Sequence, residues 1–316
     1  MKYKIHPYKL EFKFPFKLAH TTRDHTLNAY LELSDDQYTA WGEVVFPPYY
    51  PETLESFKTF MNQIILPENF SKIDLKNYLN DINEKIPANF FSKAALDIAL
   101  HNLFVMHKKT SIRELYQIPF KKKTTSFTIG ISSNLELEEK IEFAHDFDYI
   151  KLKVNEAEMA RIVNMYRVNT DKPFVIDANQ GFESKEAALE WCIELKKMGV
   201  AYFEQPFHKD DFKSHEWLTE RSPIPIIADE SFQSLADIEK VKTAFNGINV
   251  KLMKCGGIAP AYACLTKAKE MNLKTILGCM SESSIAVNAA WNLAPLANWV
   301  DLDGPFLIKN DTFFNT

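Results

Sequence analysis

Cysteine is scarce in this chain. Cys192, Cys255, Cys264 and Cys279 are its four cysteines, and they lie far apart with no CxxC spacing. That excludes a disulfide scaffold and a cysteine-built zinc site, and it fits reduced thiols in a cytoplasmic protein. Long apolar runs are missing too. The most apolar helical stretch, AALDIALHNLFVM, is interrupted by Asp97, His101 and Asn102 and is too short to cross a bilayer. The first residues, MKYKIHPYKLEF, lack the apolar stretch of a signal peptide. Positive charge is not in excess: a net charge of -5 offers no field to attract nucleic acid, and the one basic run, starting at Lys121, is short and isolated. The eight histidines show no paired spacing. These absences describe a cytoplasmic globular protein with no nucleic-acid or membrane partner. A homo-oligomer is admitted by the sequence but not specified.

What is present is enough for a full core. At 316 residues and 46% hydrophobic composition, the expectation is one large barrel or two domains. Residues 1–118 read as α+β. KYKIHPYKLEFKF, LNAYLELSD and YTAWGEVVF alternate as antiparallel strands, and PETLESFKTFMNQII, DLKNYLNDINEK and FFSKAALDIALHNLFVM carry helical periodicity. Between the first two strands, LAHTTRDHT is polar and turn-like, a candidate binding loop. Residues 119–305 have a different texture. Eight short apolar strands (SFTIGI, YIKLKV, PFVIDAN, AYFEQP, IPIIADE, INVKLMK, KTILGCM, WVDLDG) alternate with seven helical patterns. Such alternation predicts an α/β fold with a parallel sheet closed into a (β/α) barrel. Residues 306–316 remain as a C-terminal segment.

The strands share one anomaly. YIKLKVN should be a buried strand, yet Lys151 and Lys153 stand at i and i+2 and so point to the same side. Later strands also end in charge: Asp177, Glu204, Asp229, Lys251, and the pair Asp301 and Asp303. Their spacing is about one βα repeat, which brings all of them to the C-terminal mouth of a barrel. Asp177, Glu204 and Asp229 follow consecutive strands, and three adjacent carboxylates need a positive charge between them. An all-oxygen set suits a hard cation, and Mg²⁺ fits. Lys153 precedes these carboxylates by one strand and Lys251 follows by one, so the two lysines flank the cation. A lysine beside a cation and Lys151 should have a depressed pKa and can act as a base.

The motifs KLK, DAN, EQP, ADES and VKLMKCGG resemble the strand ends of the enolase superfamily in its muconate-lactonising branch, over nearly the whole chain. The resemblance implies a modified TIM barrel, with residues 1–118 as an α+β capping domain and residues 306–316 returning toward it. The tail is shorter than relatives usually carry. The resemblance also implies Mg²⁺ on Asp177, Glu204 and Asp229, and removal of a proton next to a carboxylate. Lys153 and Lys251 would be the acid/base pair on opposite faces, with Lys151 polarising the carboxylate; lysine bases working with Mg²⁺ are a known pattern of this superfamily. Within the branch, VDLDGP resembles dipeptide epimerases, in which the Asp-x-Asp grips an α-ammonium. Two anions at the mouth would disfavour the dicarboxylate substrates of muconate cycloisomerases and o-succinylbenzoate synthases. A structural role for Asp301 and Asp303 stays open, as does a non-catalytic barrel used for binding. Thr128 and Cys279 match substrate-lining positions, with plain packing an alternative for Cys279. Arg23 could meet an acidic substrate side chain, as in Ala-Glu epimerases, or form a surface pair with Asp24. Glu282 lies near the mouth with no role assigned. The implied partner is a small dipeptide.

Overall fold

The computed structural model describes residues 1–17, 22–68 and 70–313. Strands β1 (Lys2–Lys17), β2 (Thr22–Ser34) and β3 (Thr39–Val45) form an antiparallel sheet in that order. Ala29, Leu31 and Leu33 of β2 are fully buried, as the alternation in LNAYLELSD requires for one face. Pro7 is tolerated in β1 because that strand is at the sheet edge. The anticipated loop LAHTTRDHT is shorter than expected. Arg23 to Thr26 already belong to β2, with Arg23 opposite Phe16 and His25 opposite Glu11. Threonine and histidine accept extended backbone, and ladder partners from β1 outweigh their polarity. Residues 18–21 of that segment lie outside the described residues.

Three helices follow where periodicity placed them: Leu54–Gln63, capped by Thr53, then Leu75–Lys85, capped by Asp74, and then Phe90–Lys108. The last is buried without a break from Phe91 to His101, so it is a core helix and not an amphipathic one. It lies directly on β3. A Cβ at Gly42 would stand 1.9 Å from the Ala95 carbonyl oxygen, so the approach needs glycine.

Eight parallel strands then pair in chain order: β4 (Ser126–Ile129), β5 (Tyr149–Lys153), β6 (Phe174–Asp177), β7 (Phe203–Glu204), β8 (Ile226–Ala228), β9 (Gly247–Lys251), β10 (Lys274–Gly278) and β11 (Trp299–Asp301). Each falls inside the stretch that alternation marked except β9, which starts one residue earlier, at Gly247. The sheet is a nearly closed barrel. Its seam, between β4 and β11, is joined by side chains. The Ser126 hydroxyl donates to Asp301 Oδ1 (2.7 Å), the Thr128 N–H to Asp303 Oδ2 (2.5 Å), and the Leu302 N–H to Thr125 Oγ1 (2.7 Å).

The N-terminal elements pack against this barrel. Asp97, on the helix Phe90–Lys108, accepts the Ile258 N–H at 2.6 Å, at the start of the helix Ile258–Glu270. Gly257, at φ 124, leaves room for that carboxylate. Glu43 of β3 accepts from the Ser283 N–H and hydroxyl at the N-terminus of the helix Ser284–Trp291. Residues 309–313 contact the N-terminal sheet. Lys309 N–H donates to the Glu11 carbonyl (2.8 Å), Asn310 bonds Glu11 and Lys9, and Phe313 packs between Tyr30 and Trp41. Among the described residues, no helix is long and apolar enough to cross a membrane.

Candidate active site

The mouth of the barrel collects the charged strand ends. Lys151 and Lys153 do point inward from β5, and each finds carboxylates. Lys151 is 2% exposed, and its Nζ lies 2.7 Å from Asp301 Oδ2, 2.9 Å from Glu204 Oε2 and 3.0 Å from Asp177 Oδ2. Lys153 Nζ lies 2.9 Å from Asp177 Oδ2 and donates to Asn179 Oδ1 at 2.5 Å. Across the cluster, Lys251 at the end of β9 donates to Asp229 Oδ2 at 2.7 Å. Asp229 is also held by Lys254, a fully buried lysine that bonds its Oδ1 (2.6 Å) and its carbonyl (2.7 Å). The two lysines are therefore carried by β5 and β9, with Asp177, Glu204 and Asp229 on the three intervening strand ends.

A family model described as "Enolase C-terminal domain-like" matches residues 136–302. The chain is 35% identical over 316 residues to the L-Ala-D/L-Glu epimerase of Bacteroides thetaiotaomicron, covering 99% of this chain and 82% of that protein. The chain belongs to the enolase superfamily. A second relative, the L-Ala-D/L-amino acid epimerase of Flavobacterium johnsoniae, is 31% identical, with 98% and 93% covered. Among solved structures, a substrate-liganded complex of the L-Ala-D/L-Glu epimerase from Bacillus subtilis superposes with a TM-score of 0.91 at 23% identity, covering 99% of this chain and 92% of that one. The dipeptide epimerase from Methylococcus capsulatus, complexed with Mg and the dipeptide L-Arg-D-Lys, superposes with a TM-score of 0.87 at 25% identity, with 98% and 92% covered.

Superfamily membership implies a divalent cation, and the residues can be tested for it. Among the described residues no three His, Cys, Asp or Glu side chains converge tightly enough to form a ready metal cluster. Lysines separate the carboxylates instead: Lys151 stands between Asp177 and Glu204, while Asp229 turns to Lys251 and Lys254. The cluster is nonetheless short of positive charge. Glu204 is fully buried; Asn249 donates to its Oε1 (2.7 Å), while its Oε2 has Lys151 nearby but no hydrogen bond. Burial and the neighbouring Asp177 and Asp229 hold its carboxyl up at about 7 despite Lys151. Glu230, next to Asp229, is pushed up to about 7 by burial and by Asp229 and Asp177, and its Oε2 is also a buried oxygen without a partner. An all-oxygen rim in which Glu204 Oε2 has only the Lys151 ammonium beside it and Glu230 Oε2 has no hydrogen-bond partner fits a hard cation.

Carboxylates set the lysine electrostatics here. Burial works to lower the pKa of Lys251, but Asp229 and then Glu204 hold it well above the ordinary lysine value; Asp177 and Asp301 do the same for Lys151. The anticipated depression assumed a cation as the nearest charge, whereas here the nearest charges are carboxylates.

The remaining candidates divide. Asp301 faces Lys151 and Ser126, so it contributes both to the mouth and to the seam. Thr128 is buried and spends its N–H on Asp303. Cys279 follows β10 at the mouth, and burial, with Glu282 and Asp303 nearby, keeps its thiol protonated. Arg23 is half-buried with its guanidinium 5.8 Å from the Phe12 ring centre. It does not take Asp24, which pairs with His25 at 2.5 Å. Glu282 is buried and pushed up to about 8, with the Met280 N–H (2.7 Å) as donor. Sequence reading passed over Asn179, Gln205, Glu230, Asn249 and Lys254. Four of these sit within DAN, EQP, ADES and VKLMKCGG, and Asn249 stands two residues before Lys251 on the same strand face.

Proposed function

We propose that this protein is a Mg²⁺-dependent dipeptide epimerase that inverts the α-carbon of the C-terminal residue of its substrate. The observation that carries the reading is Asp303. Its carboxyl is 4% exposed and is pushed up to about 7 by burial and by Asp301 beside it. A substrate ammonium supplies the missing positive charge, whereas a dicarboxylate adds more negative charge. That separates the reading from muconate and o-succinylbenzoate chemistry on the same barrel. Relatives that are 31–35% identical over almost the whole chain and are named as epimerases of L-Ala dipeptides support it.

In this mechanism the chain's own residues bind, orient and move one proton. Asp301 and Asp303 take the ammonium. Lys151, already among Asp177, Glu204 and Asp301, presents its ammonium to the substrate carboxylate. Lys153 Nζ removes the α-proton from one epimer and Lys251 Nζ delivers a proton to the opposite face; for the other epimer the roles exchange. Asp177, Glu204 and Asp229 would hold Mg²⁺, which supplies positive charge to the carboxylate oxygens as the α-proton leaves. Arg23, half-buried and unpaired with Asp24, suits an acidic second side chain, as in L-Ala-L-Glu.

The test uses the Mg²⁺-loaded protein in D₂O with L-Ala-L-Glu, followed by proton NMR. The α-proton signal of Glu should vanish as L-Ala-D-Glu appears. N-acetylation removes the ammonium and should lower kcat/KM by about 100-fold, the loss of one charged hydrogen-bond partner in a buried site. Equal turnover of free and acetylated dipeptides would exclude ammonium recognition by Asp301 and Asp303.

A further inference from the structure

Asn179 lies two residues beyond the end of β6, in a turn that is fixed at several points. Its backbone is in the left-handed region at φ 42, and Gln180 follows at φ 67. Asp177 Oδ1 accepts the Asn179 N–H at 2.9 Å, and the Gln205 carbonyl accepts the Gln180 N–H at 2.8 Å. Two successive left-handed residues that are not glycine are a costly conformation, kept only where surrounding bonds enforce it. The side chain is fixed as well. Its Oδ1 accepts from Lys153 Nζ at 2.5 Å, and its Nδ2 donates to Glu230 Oε1 at 3.2 Å. An ammonium can only donate and a carboxylate oxygen accepts, so the amide has one orientation; a flip would set its NH₂ against Lys153.

Lys251 is held differently. Its Nζ donates to the Asp229 carboxylate, which is itself pinned by Lys254. The amide contact therefore belongs to one of the two lysines alone.

We propose that Asn179 is a positioning residue for Lys153, backed by Glu230, and that it governs proton transfer on one face of the α-carbon only. The proposal rests on the two-lysine reading above. A lysine side chain has four rotatable bonds, and a misplacement of about 1 Å costs on the order of 100-fold in rate. Removing the amide should leave Lys153 paired with Asp177 but without the contact that fixes the direction of its Nζ, while Lys251 and its partners stay in place.

Asn179→Gly is the suitable variant, because glycine adopts φ 42 without strain and deletes only the side chain. The readout is α-proton exchange in D₂O by the Mg²⁺-loaded protein, measured separately on each pure epimer of one dipeptide. Lys153→Ala and Lys251→Ala define which epimer each lysine deprotonates. Asn179→Gly should slow exchange of the Lys153-dependent epimer by about 10- to 100-fold and leave the other within about 3-fold. Calorimetry with Mg²⁺ alone should give an affinity close to that of the parent protein, since the backbone N–H to Asp177 is retained. If the two lysine variants fail to divide the epimers, the two-base reading falls, and this proposal with it. If they divide them but Asn179→Gly slows both epimers alike, or neither, Asn179 does not position Lys153. A loss of Mg²⁺ affinity of about 10-fold or more would instead assign Asn179 to the carboxylate rim and overturn the proposal.

Discussion

At His215 the imidazole is fully buried on the helix Phe212–Thr219, with Nδ1 donating to the Asp211 carbonyl (2.8 Å) and Nε2 accepting from the Phe207 N–H (3.3 Å). Burial depresses its pKa from the usual 6.5 to about 4. The unfolded chain therefore binds a proton between those values that the folded chain refuses. Stability from this residue is complete above pH 6.5, declines as pH falls through the window, and is gone below about 4. At about 1.4 kcal/mol per pH unit the whole effect is about 3 kcal/mol. Urea denaturation of His215→Asn at pH 7 and pH 4.5 should show a smaller acid loss than the parent by most of that amount; identical losses would refute the assignment. At this scale the sequence made the strand-end charges legible, because a period of two residues and a repeat of one βα unit fix which side chains share the mouth. Asn179, Asn249 and Lys254 were not legible as partners. Their work depends on hydrogen bonds made across strands and loops, and no spacing encodes those.

Among the elements, β4 and β11 differ from their neighbours. Strands β5 to β10 have backbone ladders on both sides, whereas the seam relies on Asp301, Asp303 and Thr125. Hydrogen exchange should find β4 and β11 opening more readily than β6 to β9. Ser126→Ala removes the hydroxyl donor to Asp301, a charged hydrogen bond worth about 1.5–3 kcal/mol, and should speed exchange in those two strands by at least about 10-fold. Uniform protection around the barrel, unaltered by Ser126→Ala, would show that the seam does not depend on the aspartates. The same pair thus answers two descriptions offered by the sequence. Asp301 and Asp303 bond across the seam, and Asp301 also meets Lys151 at the mouth.

At the scale of the molecule, the N-terminal sheet is tied to the barrel through the N-terminus of the helix Ser284–Trp291. Glu43 reaches it from β3, and Asp311 reaches it from the tail, accepting from the Ser284 N–H and hydroxyl at 2.7 Å each. Carboxylates at a helix N-terminus are favoured by the exposed N–H groups and the helix dipole. Asp311→Ala should cost about 1–2 kcal/mol, lower the Tm by a few degrees and expose the tail to limited proteolysis. An unchanged Tm with an equally protected tail would mean that the aromatic packing of Phe313 alone holds it.

Residue order alone makes the class of fold and the set of charged residues at the barrel mouth legible. Both follow from periodicity, which is a local property: alternation writes the strands, and their count and spacing close the barrel. Tertiary structure decided the rest. It turned Arg23 to Thr26 from loop into strand, because β1 offered ladder partners. It set Lys151 and Lys251 among carboxylates from separate strands, which hold both ammonium groups above the ordinary lysine value. It joined Asn310 and Phe313 to the N-terminal sheet and Asp311 to the helix Ser284–Trp291. Each of these depends on distances between residues far apart in the chain, and electrostatic and hydrogen-bond energies are set by those distances and not by residue order.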